Sequence, residues 1–218
     1  VSLNDLSTNF DAVILSGGST VPRDLPIPGR QLKGVFPAME FLSQQNKRVA
    51  EIKIEADHRG FKYENGDIFA FDKNVIVIGG GAAGFFCAVN AAAANPALQV
   101  VLAEKTGKLL SKVKVSGGGR CNVTHACFDI NELAKNYPRG QHFVKKTFHQ
   151  FNTKDTIEWF EKRNVQLKTE PDGRMFPVTD SSQTIINCLL NEADKYGVQI
   201  LLHTEIKKIE KHTDVFEL

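Results

Sequence analysis

The feature that most constrains the fold is a glycine pattern that stands between an apolar run and an alanine-rich run. Residues 75–78 are apolar and β-branched, which predicts a buried strand. Residues 82–94 predict a helix that ends before the next proline, because proline cannot continue a helix. Between these elements, Gly79, Gly81 and Gly84 have the G-x-G-x-x-G spacing. This order of strand, glycine turn and helix is typical of a dinucleotide-binding unit.

Each glycine of the pattern has a physical role in such a unit. The first allows a tight turn, the second lets a pyrophosphate approach the backbone, and the third lets helix and strand pack closely. Ala82 and Ala83 begin the predicted helix, where free amides and the partial positive charge of the helix favour the same anion. Glu104 ends the next apolar run, residues 99–103, and is placed to accept hydrogen bonds from a ribose diol.

The spacing leaves open which dinucleotide binds. The Glu104 carboxylate disfavours a 2′-phosphate, but the neighbouring Lys105 keeps NADP possible. A second glycine cluster follows and consists of Ser116, Gly117, Gly118, Gly119, Arg120, Cys121 and Asn122. It lacks the Gly-Lys-Ser/Thr ending of a P-loop. With Lys112 and Lys114 beside it, we predict a flexible loop that wraps an anionic, planar ligand, and a solvated basic loop is the alternative.

The cysteines have two interpretations. Cys121 follows Arg120, whose positive charge predicts a lowered pKa for the thiol. No base stands near it in sequence, so a loop thiol without a catalytic role is favoured. Cys87 and Cys188 fall in helical patterns, which predicts small buried core residues.

Charge and composition exclude several function classes. Lys plus Arg total 27 and Asp plus Glu total 25, so the net charge of +2 does not favour a nucleic-acid-binding surface. The lysines near the glycine clusters could meet RNA, but their overlap with the dinucleotide loops favours a pyrophosphate. The four cysteines and six histidines lack metal-site spacing, and no apolar run suits a membrane helix. We predict a cytoplasmic protein without a metal, nucleic-acid or membrane partner.

Strand and helix patterns alternate along the rest of the chain. Residues 198–202 predict a strand, and residues 154–163 and 181–196 predict helices. Thr153 and Asp180 are their predicted N-caps, with Gly197 just past the second helix. The alternation predicts an α/β protein with a parallel sheet and packed helices.

The first 72 residues follow a different pattern. Residues 10–15 predict a buried strand, and three prolines within residues 22–29 predict an extended linker. Residues 37–45 are compatible with a short helix, and Asn65-Gly66 predicts a hairpin within residues 49–73. We therefore divide the chain into a strand, linker and hairpin segment, residues 1–72, and a nucleotide-binding domain, residues 73–218.

Residues 73–218 resemble the N-terminal part of the BaiN-like (YhiN-like) family of NAD(P)/FAD-dependent oxidoreductases. The matching stretches are residues 77–84, 112–124, 172–178 and 180–183. The resemblance implies an incomplete Rossmann-like FAD/NAD(P)-binding sheet, with Gly79, Gly81 and Gly84 under the FAD pyrophosphate and Glu104 on the adenosine ribose. It also implies that Arg120, Cys121 and Asn122 lie near the flavin end, and that NAD(P)H is a possible electron donor. His125 stands where the family more often has asparagine.

Residues 9–73 resemble a segment of the small, NADPH-handling subunit of glutamate synthase. The match runs through residues 10–15, 22–30 and 34–42. In that family the segment closes a flavin half-domain and leads into a second glycine pattern, where Asp-Thr stands in place of Ala82-Ala83. The two resemblances therefore meet at a motif that both families share. A natural recombination, an engineered fusion and an assembly error would each produce this arrangement.

We expect a flavoprotein oxidoreductase in which NAD(P)H reduces FAD and the flavin reduces a small organic acceptor. Because BaiN-like proteins are much longer than the matching segment, we expect only part of the enzyme in this chain. One alternative is an electron-transfer module of a glutamate synthase-like complex, with a large-subunit partner. The other is a catalytically silent dinucleotide-binding fragment. No catalytic residue follows from these patterns.

Overall fold

A computed structural model describes residues 12–15, 26–37, 74–138, 140–212 and 215–218. The hairpin predicted around Asn65-Gly66 lies outside the described residues, as does the helix predicted for residues 37–45 except for Pro37, which ends a strand. In the part of the chain that is described, none of the helices combines the length and apolar character that crossing a membrane requires.

A parallel sheet forms the centre of the fold. Its described strands are β1 (Ala12–Leu15), β2 (Val35–Pro37), β3 (Asn74–Ile78), β4 (Gln99–Ala103) and, later in the chain, β8 (Gln199–Leu201). The strand order is β2-β1-β3-β4-β8, and every neighbouring pair is parallel. The sheet confirms the predicted α/β class.

Strand β3 lies between β1 and β4 and is covered on both faces. Val75, Ile76 and Val77 are fully buried. A parallel strand that is buried on both faces has a continuous apolar sequence rather than an alternating one. This is why residues 75–78 carry no polar side chain.

Six helices are described. They are α1 (Ala82–Ala94), α2 (Ser111–Val115), α3 (Ile130–Lys135), α4 (Gln141–Phe148), α5 (Thr153–Glu161) and α6 (Ser182–Lys195). Of these, α1, α2, α5 and α6 contribute side chains to the core on one face of the sheet. Phe85 on α1 and Ile185 and Leu189 on α6 are buried in one core together with Val77. Cys87 and Cys188 belong to the same core, as their helical patterns predict.

The opposite face is covered by the C-terminal part of the chain. Ile206, Ile209 and Phe216 pack with Ile76 and Val101 in a second buried cluster. Phe216 belongs to an antiparallel hairpin of β9 (Glu210–His212) and β10 (Val215–Glu217). The sheet is therefore the middle layer of the described structure.

A small antiparallel sheet, which the sequence analysis did not predict, lies outside the parallel one. Its strands are β5 (Thr124–His125), β6 (Leu167–Thr169) and β7 (Arg174–Pro177), in the order β5-β7-β6. Met175 and Phe176 of β7 are buried. The first strand of this sheet, β5, follows directly after the second glycine cluster in the chain.

Two predicted helix caps are wrong. Asn152, not Thr153, caps α5: its side chain accepts a hydrogen bond from the Lys154 amide, and the Asp155 carboxylate accepts one from the Asn152 amide. Ser181, not Asp180, caps α6 by accepting a hydrogen bond from the Gln183 amide. In each case the residue next to the predicted one has a side chain that reaches the free amides of the first turn.

The predicted helix end at Gly197 is confirmed. Gly197 follows the C-cap Tyr196 with φ +68°, a conformation that favours glycine.

Strands from both sides of residue 72 belong to one sheet. Ile14 of β1 is paired with Phe36 on one side and with Val77 on the other. The segment before residue 72 therefore contributes two strands to the sheet, and one of them, β1, lies beside the strand that carries the glycine pattern. The division into domains at this residue stays a prediction.

The central position of β1 leads to a stability prediction. Ile14→Pro removes a backbone donor inside the sheet, so we expect it to lower the free energy of unfolding by roughly 1–3 kcal/mol for each backbone group left unpaired. Ile14→Val, which keeps the donor, is the matched control. Urea unfolding measures both variants, and equal stability of the two would contradict the pairing of β1 with its neighbours.

Candidate functional site

The turn after β3 needs glycine at its first two positions for reasons within the protein. Gly79 has φ +112°, and its amide donates a hydrogen bond to the Ala103 carbonyl, 2.8 Å away. Gly80 is buried, and a Cβ there would lie 2.8 Å from Leu109 Cδ2 and 3.0 Å from Glu104 Cβ. The turn therefore packs tightly against the end of β4.

Gly81 has no such reason to be glycine. Its backbone has φ −88° and ψ −176°, which any residue adopts, and a Cβ built on it meets nothing within 4 Å. The space above Gly81 is open, and the residue is exposed. An absent side chain at this point is what a ligand close to the backbone requires.

The start of α1 presents free backbone donors beside this open space. Gly81 is the N-cap and makes no side-chain capping bond, and the first turn has no acidic residue. The first amides of a helix have no partner inside it, so those of Ala82 and Ala83 are available to an anion. Gly84 is buried one turn along the same helix.

Glu104 joins the end of β4 to the glycine turn. Its Oε2 accepts a hydrogen bond of 2.8 Å from the Gly80 amide, and its Oε1 accepts two of 2.8 Å from the Thr106 amide and hydroxyl. Partial burial raises the pKa of Glu104, but these hydrogen bonds and the nearby Lys105 charge outweigh it, and the pKa lies below its ordinary value. The carboxylate is therefore ionised and keeps lone pairs for further donors.

The second glycine cluster forms a turn whose three glycines have left-handed backbone conformations, and its predicted flexibility stays a prediction. Residues Ser116–Gly119 form a turn after α2 that is not helical, because Gly117, Gly118 and Gly119 have φ values of +56°, +70° and +88°. A Cβ on Gly117 would lie 2.7 Å from Phe176 Cε1. The turn therefore packs against the small antiparallel sheet.

The basic residues of this region differ in their ion pairing. Arg120 forms ion pairs with Glu170 and, at 3.5 Å, with Asp180, and its guanidinium lies 4.0 Å from the centre of the Phe176 ring. It thereby ties the glycine turn to the small sheet. Lys105, Lys112 and Lys114 are exposed and form no ion pair with the described residues. A role of Arg120 at the cofactor stays a prediction.

Cys121 does not have the predicted low pKa. Burial raises the pKa of its thiol, and the Ser116 side chain only partly offsets this. Cys121 is 6% exposed, and the Arg120 charge is directed to carboxylates instead of to the thiol. A thiol with a raised pKa is protonated at neutral pH and is a poor nucleophile.

A cleft of about 690 Å³ opens beside the two glycine turns. Six predicted site residues line it, namely Ala82, Ala83, Lys112, Ser116, Cys121 and Asn122. The other nine do not, namely Gly79, Gly81, Gly84, Glu104, Lys105, Gly117, Gly118, Gly119 and Arg120. The structure therefore brings the start of α1 and the second glycine cluster to one cleft, while Glu104 lies at the glycine turn outside it.

The remaining wall of the cleft was missed by the sequence analysis. Phe86 of α1 and Phe151 pack edge to face with ring centres 5.4 Å apart, and both line the cleft. Thr153 also lines it, and its buried hydroxyl has no hydrogen-bond partner among the described residues. Phe86 follows the glycine pattern closely in sequence, but nothing local predicts its contact with a residue beyond position 150.

A group of possible metal ligands lies elsewhere, on the C-terminal hairpin. The group consists of Glu210, His212 and Glu217. Each offers one possible ligand atom, and the three atoms lie within 4.8 Å of one another. His212 Nε2 lies 3.0 Å from a Glu217 oxygen, and Glu210 is paired with Lys208. The spacing of histidines in the sequence did not indicate this group.

Comparisons with known proteins match both parts of the chain. Residues 73–218 match the HI0933-like protein Rossmann domain. The Escherichia coli protein named ribosomal RNA dihydrouridine synthase is 32% identical over 145 residues, which cover 66% of this chain and 35% of that protein. The Mycobacterium tuberculosis glutamate synthase [NADPH] small chain is 47% identical over 87 residues, which cover 40% of this chain and 17% of that protein.

Among solved structures, Thermovibrio ammonificans THI4 is similar with a TM-score of 0.40 and 10% identity, covering 66% of this chain and 44% of that one. This likeness is too slight to add to the fold described above. The chain spans about a third of the E. coli relative and about a sixth of the M. tuberculosis relative.

The Glu104 geometry leads to a binding prediction. Glu104→Gln keeps the shape of the side chain but removes its charge, so we expect FAD affinity to fall by about 1.5–3 kcal/mol, the value of a hydrogen bond to a charged group. Glu104→Ala should weaken binding at least as much. A fluorescence titration with FAD measures this, and unchanged affinity of both variants would exclude Glu104 from the site.

The lowered pKa of Glu104 also predicts a pH dependence. Because the folded state lowers this pKa below its ordinary value of 4.5, the ionised carboxylate stabilises the fold fully above that pH. The stabilisation is lost as the pH falls through the lower folded-state pKa. We expect the difference in unfolding free energy between the wild type and Glu104→Gln to be constant from pH 7 to pH 5.5 and to shrink below pH 4.5. A difference that grows on acidification would contradict the assignment.

Proposed function

Since the chain belongs to the HI0933-like, or BaiN-like (YhiN-like), family of flavoproteins, we propose that it is the FAD-binding part of an oxidoreductase that uses NAD(P)H to reduce a small organic acceptor. The family is one of FAD/NAD(P)-binding Rossmann oxidoreductases, and the chain is also homologous to the glutamate synthase small chain. The observation that carries the proposal is the open space above Gly81. No atom of the described residues lies within 4 Å of a Cβ built there, so contacts within the protein do not explain the glycine.

The residues at the glycine turn fit a dinucleotide. Gly79, Gly81 and Gly84 would hold the pyrophosphate against the start of α1, where the first amides have no partner inside the helix. Glu104 would accept hydrogen bonds from the adenosine ribose. When bound, FAD supplies the redox chemistry, because no amino-acid side chain accepts and returns a hydride in this way.

The protein itself contributes binding, orientation and exclusion of water. The helix start favours the negative charge of a pyrophosphate, and the ionised Glu104 orients the adenosine end. Apolar side chains in the neighbouring cleft, such as Phe86 and Phe151, keep water from whatever occupies it. In this proposal the second glycine turn, residues 116–122, lies beside the flavin end.

A second candidate is an electron-transfer module in a glutamate synthase-like complex. The observation in its favour is the pairing of β1 with β2 on one side and with β3 on the other, which makes the segment that resembles the glutamate synthase small subunit part of the sheet at the glycine turn. This candidate requires a large-subunit partner. Retention of the chain by an immobilised glutamate synthase large subunit would support it.

The proposal is tested by spectroscopy and turnover. Purified protein incubated with FAD is expected to retain flavin with a shifted absorption spectrum. Under anaerobic conditions, NADH or NADPH should bleach the bound flavin, and the faster donor identifies the nicotinamide preference. Retained flavin that neither donor bleaches would favour the silent dinucleotide-binding fragment. A uridine-containing RNA is one electron acceptor to be tested, because the E. coli relative is named a ribosomal RNA dihydrouridine synthase.

Gly81 is the sharpest single test of the cofactor position. Gly81→Val places a branched side chain in the space that a pyrophosphate needs, so we expect loss of FAD retention. Because the backbone conformation and the open space accept a side chain, the variant should fold, with a stability cost of at most about 1 kcal/mol at the N-cap. Flavin absorbance after gel filtration and a thermal melt measure the two effects.

Ala94→Val is the matched control, since it adds a side chain of the same kind at the exposed far end of α1. It should retain flavin as the wild type does. If Gly81→Val folds and still carries FAD, the cofactor does not lie over this turn.

A further inference from the structure

One face of the C-terminal hairpin groups three side chains of the types that bind metals. In the pairing of β9 with β10, Glu217 stands opposite Glu210, and Val215 stands opposite His212. Residues two apart in a strand lie on the same face, and so do residues that stand directly opposite each other. The backbone therefore places Glu210, His212 and Glu217 on one face of the hairpin.

The other face of the hairpin is anchored to the protein. Phe216 is 1% exposed and belongs to the buried cluster that covers the parallel sheet. Lys211 stands opposite Phe216, and its ammonium lies 5.5 Å from the centre of the ring. Because this face packs on the sheet, the opposite face is open to solvent, and His212 and Glu217 are exposed there. A dissolved ion therefore has access to the three side chains.

The distances between the three side chains suit a small metal ion. Their ligand atoms lie within 4.8 Å of one another, and His212 Nε2 is 3.0 Å from a Glu217 oxygen. Zinc bonds of about 2.0–2.2 Å to imidazole nitrogen and carboxylate oxygen place two ligand atoms of a tetrahedral site about 3.3–3.6 Å apart. Small rotations of partly exposed side chains close the difference, without a change in the backbone.

The charges on this face favour a divalent cation. Glu210 and Glu217 stand directly opposite each other, and like charges in such a pair destabilise a hairpin. Lys208 forms an ion pair with Glu210, and this hydrogen bond lowers the pKa of Glu210 below its ordinary value, so the carboxylate is ionised at neutral pH. Lys208 compensates one carboxylate, whereas a divalent cation compensates both. An exposed ion pair contributes little, so the cation can displace Lys208.

We propose that Glu210, His212 and Glu217 form a zinc site that joins the two strands of the hairpin and leaves a fourth position for water. The imidazole nitrogen selects zinc over Mg²⁺ and Ca²⁺, which prefer oxygen ligands. The bound zinc holds β9 against β10 and thereby keeps Phe216 in the buried cluster. This inference goes beyond the proposed function and does not depend on it.

The test is calorimetric titration of the full chain with zinc chloride after treatment with a chelator. His212→Gln and Glu217→Gln each remove one ligand. Loss of an outer partner alone lowers metal affinity about 10- to 100-fold, so loss of a direct ligand should lower zinc affinity at least about tenfold. The matched controls are His142→Gln and Glu205→Gln, which remove the same side chains at exposed positions outside the group.

The controls should bind zinc as the wild type does. Equal affinity of all four variants, or no binding of zinc by the wild type, overturns the proposal. Mg²⁺ and Ca²⁺ at the same concentrations should give no heat of binding. If they bind as tightly as zinc, the histidine is not a ligand and the zinc site is wrong.

Lys208→Gln tests the charge argument with an effect in the opposite direction. Lys208 competes with the cation for Glu210, so its removal should tighten zinc binding by about two- to fivefold, the range of an exposed ion pair. Unchanged or weaker binding would remove Glu210 from the ligand set and overturn the site.

Thermal melts show whether zinc binds the folded hairpin. A ligand that binds only the folded state stabilises it, so zinc at 100 times its dissociation constant should raise the melting temperature by roughly 5–10 °C. Glu217→Gln should melt near the wild type without zinc, because the side chain is exposed, and should gain little from the same zinc concentration. An equal gain for both proteins would overturn the site. None of these measurements uses FAD, so their outcome is separate from that of the proposed function.

Discussion

The hydrogen bond between the Gly80 amide and the Glu104 carboxylate connects the two strands that carry the site. Gly80 follows β3 and Glu104 follows β4, and these strands pair in parallel with Ile78 opposite Ala103. Because parallel strands end at the same edge of a sheet, the carboxylate reaches the turn directly. The shape of the turn, the exposed start of α1 and the ionisation of Glu104 all depend on this pairing.

The elements around the first glycine pattern could be predicted because their causes are local. The β-branched side chains of residues 75–78 favour a strand, the glycines that follow allow the turn, and the proline after residue 94 ends the helix. All of these signals are close in sequence. The observed α1, Ala82–Ala94, has the predicted bounds. Glu104 follows β4 as expected, although its bonds to Gly80 and Thr106 were not foreseen.

The rest of the site depends on contacts between distant residues. Arg120 and Glu170 are 50 positions apart, and the β5 strand that follows the second glycine turn has two residues, too few for a pattern. At α5 a local signal was available, because Asn152 and Asp155 have the spacing of a capping box. That spacing predicts Asn152, and not Thr153, as the N-cap. The surroundings of the Thr153 hydroxyl depend on tertiary packing, which the local sequence does not indicate.

The position of β3 also bears on β-pairing with other chains. An edge strand presents unpaired amides and carbonyls that template intermolecular β-pairing, and such pairing would distort any turn attached to it. Here β1 and β4 occupy both sides of β3, and the outer described strands, β2 and β8, have three residues each. Pro37 in β2 has no amide hydrogen to offer. The strand that holds the glycine turn is thereby shielded from aggregation through this sheet.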